Sequence, residues 1–231
     1  MATILPILKS VQNNQAFIQQ FLEDNMELGR IYSDDIRPYL AKRGWYIGGS
    51  LNPIQHVQLR DAIQNGKDDR IDSFFEQHVR ARVDDIEHFV CKTWPRRAEI
   101  IKAAFEAHKE RKYSLSIPTM LAQIDGICHS ILEVHIFTKH NGDISEKVKE
   151  LISSGEVNTP LAIAFLDLIM EPSSVMTNTK KRDERQKNDP DYGPINRHGI
   201  LHGIDLDYST ETNGLRSIAL ISFLCWVNER I

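Results

Sequence analysis

The chain has 231 residues, of which 41% are hydrophobic and 26% charged, and its formal net charge is −4. This proportion supports a packed core and excludes a disordered polyelectrolyte. The slightly acidic balance argues against a nucleic-acid coat protein, whose affinity comes from a broad excess of Lys and Arg, though a local basic patch stays compatible with it.

In chain order, residues 3–25 carry Ile4, Leu8, Val11, Phe17, Phe21 and Leu22 mostly three, four or seven apart, which predicts a helix. Pro38 and the run RGWYIGG (43–49) interrupt that pattern, and Gly44, Gly48 and Gly49 favour a turn. Asn52 followed by Pro53 predicts a capped helix start. The stripe Ile71, Phe74, Phe75, Val79, Val83, Ile86 and Val90 predicts one helix over 68–91. Pro95 closes it and opens another over 95–111. A buried helix follows at 115–137, with Ser116 as cap, Pro118 in its first turn and Ile117, Met120, Leu121, Ile124, Ile127, Cys128, Ile131 and His135 on one face. Shorter helices are predicted at 143–154 and 158–170. Residues 171–195 hold few apolar side chains and three prolines, and read as a long, mobile polar loop. The last helix, 210–230, is apolar on most faces and therefore central.

No strand alternation, internal repeat or heptad seam is present, so the fold class is all-α. It divides into an N-terminal helical region (1–110) and a C-terminal helical bundle (111–231). Cys91, Cys128 and Cys225 are widely spaced with no CxxC, which fits core thiols in a reducing cytoplasm better than a zinc or disulfide framework. The opening MATILPILKS lacks the long apolar stretch of a secretion signal. The longest apolar run, 218–227, is half the roughly 20 residues that span a bilayer. The expected location is cytoplasmic, with no membrane partner.

Three groups of residues can carry chemistry. The first is NRHGILHG (196–203), followed by IDLDYSTETNGLR (204–216). A histidine exchanges protons near neutral pH, an arginine holds a phosphate through paired charge-assisted hydrogen bonds, and RNA brings its own nucleophile in the 2′-hydroxyl. Arg197, His198 and His202 are thus parts for phosphodiester chemistry without a metal or other cofactor. The spacing Arg-x4–6-His occurs twice, as Arg197/His202 and Arg82/His88. Arg82 lies within an amphipathic helical pattern, whereas Arg197 follows the polar loop and precedes the final buried helix. The bland alternative has His202 hydrogen-bonded in the core and Arg197 paired with Asp205 or Asp207.

The second group is Asp125, His129 and Glu133, which share a helix edge. Asp85, His88 and the His198/His202 pair could add metal ligands, but the Glu-x-x-His pairs of a di-metal bundle are missing. Half-exposed i,i+4 contacts are the simpler reading, and no metal is expected. Asp125, next to Gly126, is also placed to meet the NRH segment. The third group is Trp45, Tyr46, Trp94, Arg96 and Arg97, either a stacking surface for single-stranded RNA or core aromatics at helix ends. No Walker loop, GxGxxG, GxSxG or HExxH is present.

The run NRHGILHG, with Tyr208 and TETNGLR entering a buried helix, resembles the C-terminal signature of HEPN-type helical proteins. It is most similar to a bacterial group reading NRH-x-ILHG…Y-x-TE-x-N. RGWYI (43–47) and YSLSIPTMLAQIDGI (113–127) are similar to segments of that group too. The resemblance covers residues 111–231 and the RGWYI patch. It implies a metal-independent endoribonuclease of toxin or phage-defence type, built as a homodimer with both motifs facing one RNA strand. It implies His202 as acid and base, Arg197 as phosphate clamp and His198 as polar helper, with Asn196, Asp125 and Tyr208 in support. The loop residues Lys180, Lys181, Arg182 and Arg185 would meet RNA, an antitoxin or a regulator. Some proteins of this type are non-catalytic, which leaves a dimerisation or partner-binding module as the alternative.

Overall fold

A computed structural model describes residues 36–47, 50–66, 68–133, 135, 141–155, 177–189 and 192–229, with single positions at 163, 166, 168, 169, 173 and 175. The described residues form ten α-helices and no strand, so the chain is all-α as predicted. They are α1 (Arg37–Arg43), α2 (Pro53–Gln64), α3 (Asp68–Arg80), α4 (Val83–Thr93), α5 (Ala98–Lys109), α6 (Tyr113–Leu132), α7 (Asn141–Ser153), α8 (Thr179–Gln186), α9 (Arg197–Leu201) and α10 (Glu211–Asn228). The predicted helix over 3–25 lies outside the described residues. So does most of 158–170, of which 163, 166, 168 and 169 are helical. None of the described helices is long and apolar enough to cross a membrane.

Helix α10 is the axis of the core. Thr210 caps it by accepting from the Asn213 N–H, and thirteen of its residues are buried. A helix apolar on nearly every face must be surrounded, and α10 packs on α3, α4 and α6. Helix α6 also packs against α5. Its buried face is Ile117, Met120, Leu121, Ile124, Ile127, Cys128 and Leu132, close to the predicted stripe. One hydrophobic cluster runs from Ile36 to Val227. Cys128 and Cys225 are buried in it, and burial pushes the Cys225 thiol pKa up to about 12, in line with an inert core role.

The predicted start of α2 is seen in full. Asn52 accepts from the Gln55 N–H at 3.0 Å, the Gln55 side chain accepts from the Asn52 N–H at 2.9 Å, and Pro53 takes the first helical position. Gly44 makes the expected turn, at φ 72°. Pro38, however, lies in the first turn of α1 rather than interrupting a helix, a position where its missing N–H costs nothing.

Three further expectations are corrected. The helix predicted over 68–91 breaks at Ala81–Arg82, so Arg82 is a junction residue rather than a mid-helix one. Val79 and Ile86 are seven apart and both buried, so the apolar stripe stays in phase across the break and hides it. Helix α6 starts at Tyr113 after Lys112, which makes no side-chain cap; Ser116 is fully buried inside the helix, and Pro118 is also interior. Proline at 118 removes the N–H that would bond the Ser114 carbonyl. The Tyr208 hydroxyl donates to that same carbonyl at 3.1 Å, so an orphaned acceptor acquires a partner. Finally, the segment read as a loop over 171–195 contains α8, capped by Asn178, whose side chain accepts from the Lys181 N–H. TKKRDERQ has no apolar stripe to announce a helix.

Polar groups also enter the core. Arg43 and Arg216 are 5% and 6% exposed. Arg43 Nη1 lies 2.7 Å from Asp72 Oδ2, and Arg216 Nη2 lies 3.5 Å from Asp72 Oδ1. The Trp45 indole N–H donates to Asp72 Oδ1 at 2.7 Å, and Arg216 stacks over the Trp45 ring at 4.9 Å. One carboxylate thus organises two buried cations and an indole.

His56 is 2% exposed. Burial holds its pKa at about 4 against an ordinary 6.5, opposed by a backbone hydrogen bond at Leu51. The unfolded chain therefore binds a proton that the folded chain refuses. His56 costs nothing above about pH 6.5 and destabilises the fold progressively as pH falls toward 4. The shift corresponds to roughly 3 kcal/mol. Urea midpoints should fall across that window, and His56→Gln should flatten the fall; an equally steep fall in the variant contradicts this account.

Candidate functional site

The NRHGILHG segment forms α9 and its two ends, lying against α6. Asn196, 1% exposed, sets the start. Its Oδ1 accepts from the Gly199 N–H at 2.8 Å, and its Nδ2 donates to the Thr177 carbonyl at 2.7 Å. Sequence reasoning gave Asn196 a supporting chemical role; here it caps the helix and ties it to the segment before α8. Ile200 is 6% exposed and anchors α9 in the core. Gly203, at φ 68°, ends it in the left-handed conformation that favours glycine.

Gly199 has a second task. Its carbonyl accepts from the Ile204 and Asp205 N–H groups at 2.8 and 3.1 Å, which folds the chain back over the helix. The Asp205 carboxylate then covers Gly199 so closely that a Cβ there would fall well inside contact distance. Arg182 grips the carboxylate with two hydrogen bonds, Nη2 to Oδ1 at 2.9 Å and Nη1 to Oδ2, and these pairings hold the arginine above its usual pKa. Gly199→Ala should therefore dislodge Asp205 and cost about 1–3 kcal/mol. Thermal melts of Gly199→Ala in parent and Asp205→Ala backgrounds test this. The penalty should largely vanish in the second, and an equal penalty in both refutes the clash.

Arg197 and His198 lie on α9, and His202 caps its C-terminal end. Arg197 and His198 are half-buried and His202 is exposed. Thr179 Oγ1, at the start of α8, lies 2.8 Å from His198 Nδ1 and fixes that ring. The His198 and His202 rings meet with centroids 4.6 Å apart at 49°. They are four apart, but α9 ends at Leu201, so His202 is placed by the helix terminus rather than by a further turn. The His202 imidazole makes no hydrogen bond to any described residue, and the residue is exposed.

The remaining candidates are distributed differently. The Asp125 carboxylate lies 3.0 Å from His135 Nδ1. His135 in turn meets the His129 ring, at 4.5 Å. Glu133 is exposed in the left-handed conformation that ends α6. Among the described residues, no three His, Cys, Asp or Glu side chains converge as a metal site. Tyr208 braces α6 at Ser114, as described above. Lys180 and Lys181 are exposed on α8. Arg182 is neutralised by Asp205 and Asp183, and Arg185 donates to the Tyr192 hydroxyl at 2.6 Å while stacking over that ring. Asp205 thus pairs with Arg182 of α8. Trp45 and Tyr46 are core residues, and Arg97 is held by Gln123 and the Gly126 carbonyl, so they form no stacking surface.

Sequence reasoning missed Thr179 and the structural use of Gly199. The signal for Gly199 was weak: a glycine inside a short helix marks close approach by another group. Near His202 in the chain, Leu201, Ile204 and Leu206 are 37%, 55% and 79% exposed. No protein-family description, curated protein or solved structure matches this chain.

Proposed function

We propose that the chain is a metal-independent endoribonuclease of HEPN type, acting as a homodimer and serving as a toxin-like or phage-defence effector in the cytoplasm. The observation that carries this reading is the contact between the half-buried His198 ring and the exposed His202 ring, preceded directly by Arg197. In the proposed reaction the RNA 2′-oxygen attacks the adjacent phosphorus as His202 takes the hydroxyl proton. Arg197 holds the non-bridging oxygens and stabilises charge as the phosphorane forms. The P–O5′ bond then breaks, and the 5′-oxygen leaves as a hydroxyl by taking the proton that His202 gained, which returns the imidazole to its neutral form. The products are a 2′,3′-cyclic phosphate and a 5′-hydroxyl end. His198, fixed by Thr179, orients His202. Lys180 and Lys181 offer exposed charge to the RNA backbone or to an antitoxin.

The exposed apolar side chains Leu201, Ile204 and Leu206 favour a second reading, a non-catalytic dimerisation or partner-binding module. End-group analysis of RNA incubated with the purified protein in EDTA separates the two. Cyclic-phosphate ends support the nuclease; uncut RNA, with a dimer present, supports the module.

A further inference from the structure

A cavity of about 160 Å³ opens between α3, α4 and α10, away from α9 and sharing no residue with it. It is smaller than the roughly 300–1,000 Å³ of drug-sized sites, so it suits a small metabolite. Its walls include Phe75, Phe89 and Trp226; Ser50, His78, Arg82 and Asp85 supply polar groups.

The polar groups are unusually arranged. Arg82 Nη1 lies 3.3 Å from His78 Nε2, and Ser50 Oγ lies 3.1 Å from the same nitrogen. A guanidinium only donates, so Nε2 accepts and His78 is a neutral imidazole with its proton on Nδ1. Burial, with the Arg82 charge, holds the His78 pKa below its ordinary value, which agrees with that state. The hydrogen-bond partner of the Arg82 guanidinium is thus a neutral ring, and among the described residues no carboxylate forms an ion pair with it. Asp85, three residues further along the chain, is exposed, lines the same cavity and has no ion-pair partner either. A cation and an anion three apart face one space without meeting. A lone anion entering it would be repelled by Asp85, and a lone cation by Arg82. A zwitterion with an apolar body satisfies both charges and the aromatic walls.

We propose that this cavity binds a small free α-amino acid with an apolar side chain, its carboxylate on Arg82, its ammonium on Asp85 and its side chain against Phe75, Phe89 and Trp226. The full-length protein is titrated with leucine and with phenylalanine, following the Trp226 indole N–H resonance, identified by its loss in Trp226→Phe. Parallel titrations use 4-methylpentanoate, which lacks the ammonium, 3-methylbutylamine, which lacks the carboxylate, and cytidine and adenosine. At least one amino acid should shift the resonance at millimolar concentration. The single-charge analogues should bind about tenfold or more weakly, as loss of a charge-assisted hydrogen bond implies. Arg82→Met should weaken amino-acid binding to a similar degree with the circular dichroism spectrum retained. Asp85→Asn should abolish the preference for leucine over 4-methylpentanoate. The proposal is overturned if neither amino acid binds, if 4-methylpentanoate binds as tightly as leucine, or if a nucleoside binds better than either amino acid.

Discussion

Replacing Asp72 with alanine should lower stability by about 3 kcal/mol, because two buried guanidinium groups lose their shared carboxylate. Arg43 and Arg216 are almost fully buried, and Arg216 is held below its ordinary pKa first by desolvation, with Asp72 opposing. Asp72 itself is a quarter exposed, so water softens the loss and places it at the low end of the range for broken buried pairs. For a chain of this size that is a fall in melting temperature of roughly 6–12 °C. Asp72→Asn, which keeps an acceptor for the Trp45 indole, should fall less. Arg216→Met in the Asp72→Ala background should recover part of the loss, since an apolar side chain of similar length no longer needs a countercharge. A melt of Asp72→Ala within about 1 °C of the parent would show that the cluster is not coupled as described.

This cluster also shows where reading the sequence stops. Helical period, the Asn52–Pro53 start and the all-round apolarity of residues 218–227 are local signals, and each leads to an element that is present. Arg43 and Asp72 are 29 residues apart, on α1 and α3, and their meeting depends on the tertiary fold. A hint exists in Arg216, a charge two residues before the longest apolar run, but nothing local names its partner. The break at Ala81 was hidden because a seven-residue interval is in phase with either one helix or two. Helix α8 was hidden because its stability comes from a cap and from contacts made by Thr179, Arg182 and Arg185, not from an apolar face. Pro118 was misplaced for a related reason. Locally, Pro118 reads as a helix opener, whereas Tyr208, distant in sequence, supplies the hydrogen bond that makes an interior position tolerable.

The site was legible in part. NRHGILHG stands out as a unit; Arg197 and His198 lie on one short helix and His202 at its C-terminal cap. What the sequence could not sort was architecture from chemistry within the unit. Asn196 caps, Ile200 anchors, Gly199 admits Asp205 and Gly203 terminates; these roles appear only once the fold-back from Ile204 is in place. Arg182 looked like a free cation in a charged run, yet Asp205 neutralises it.

On the proposed nuclease reading, His202→Ala should reduce RNA cleavage about 10²–10⁴-fold, the range for loss of a general acid or base. Its imidazole is exposed and supports no described hydrogen bond, so the variant should melt close to the parent. Arg197→Ala should lose about 10²–10³-fold through weaker stabilisation of the phosphorane. Asn196→Ala should behave differently, losing about 1–2 kcal/mol of stability with the missing cap. Activity loss without stability loss at His202, and stability loss at Asn196, is the pattern that distinguishes chemistry from scaffold.

The most direct measurement is a cleavage time course on mixed cellular RNA in EDTA, with the parent protein and His202→Ala side by side at equal concentration. The account predicts that the parent cuts and the variant does not. RNA left intact by the parent, or cut equally by both proteins, would contradict it.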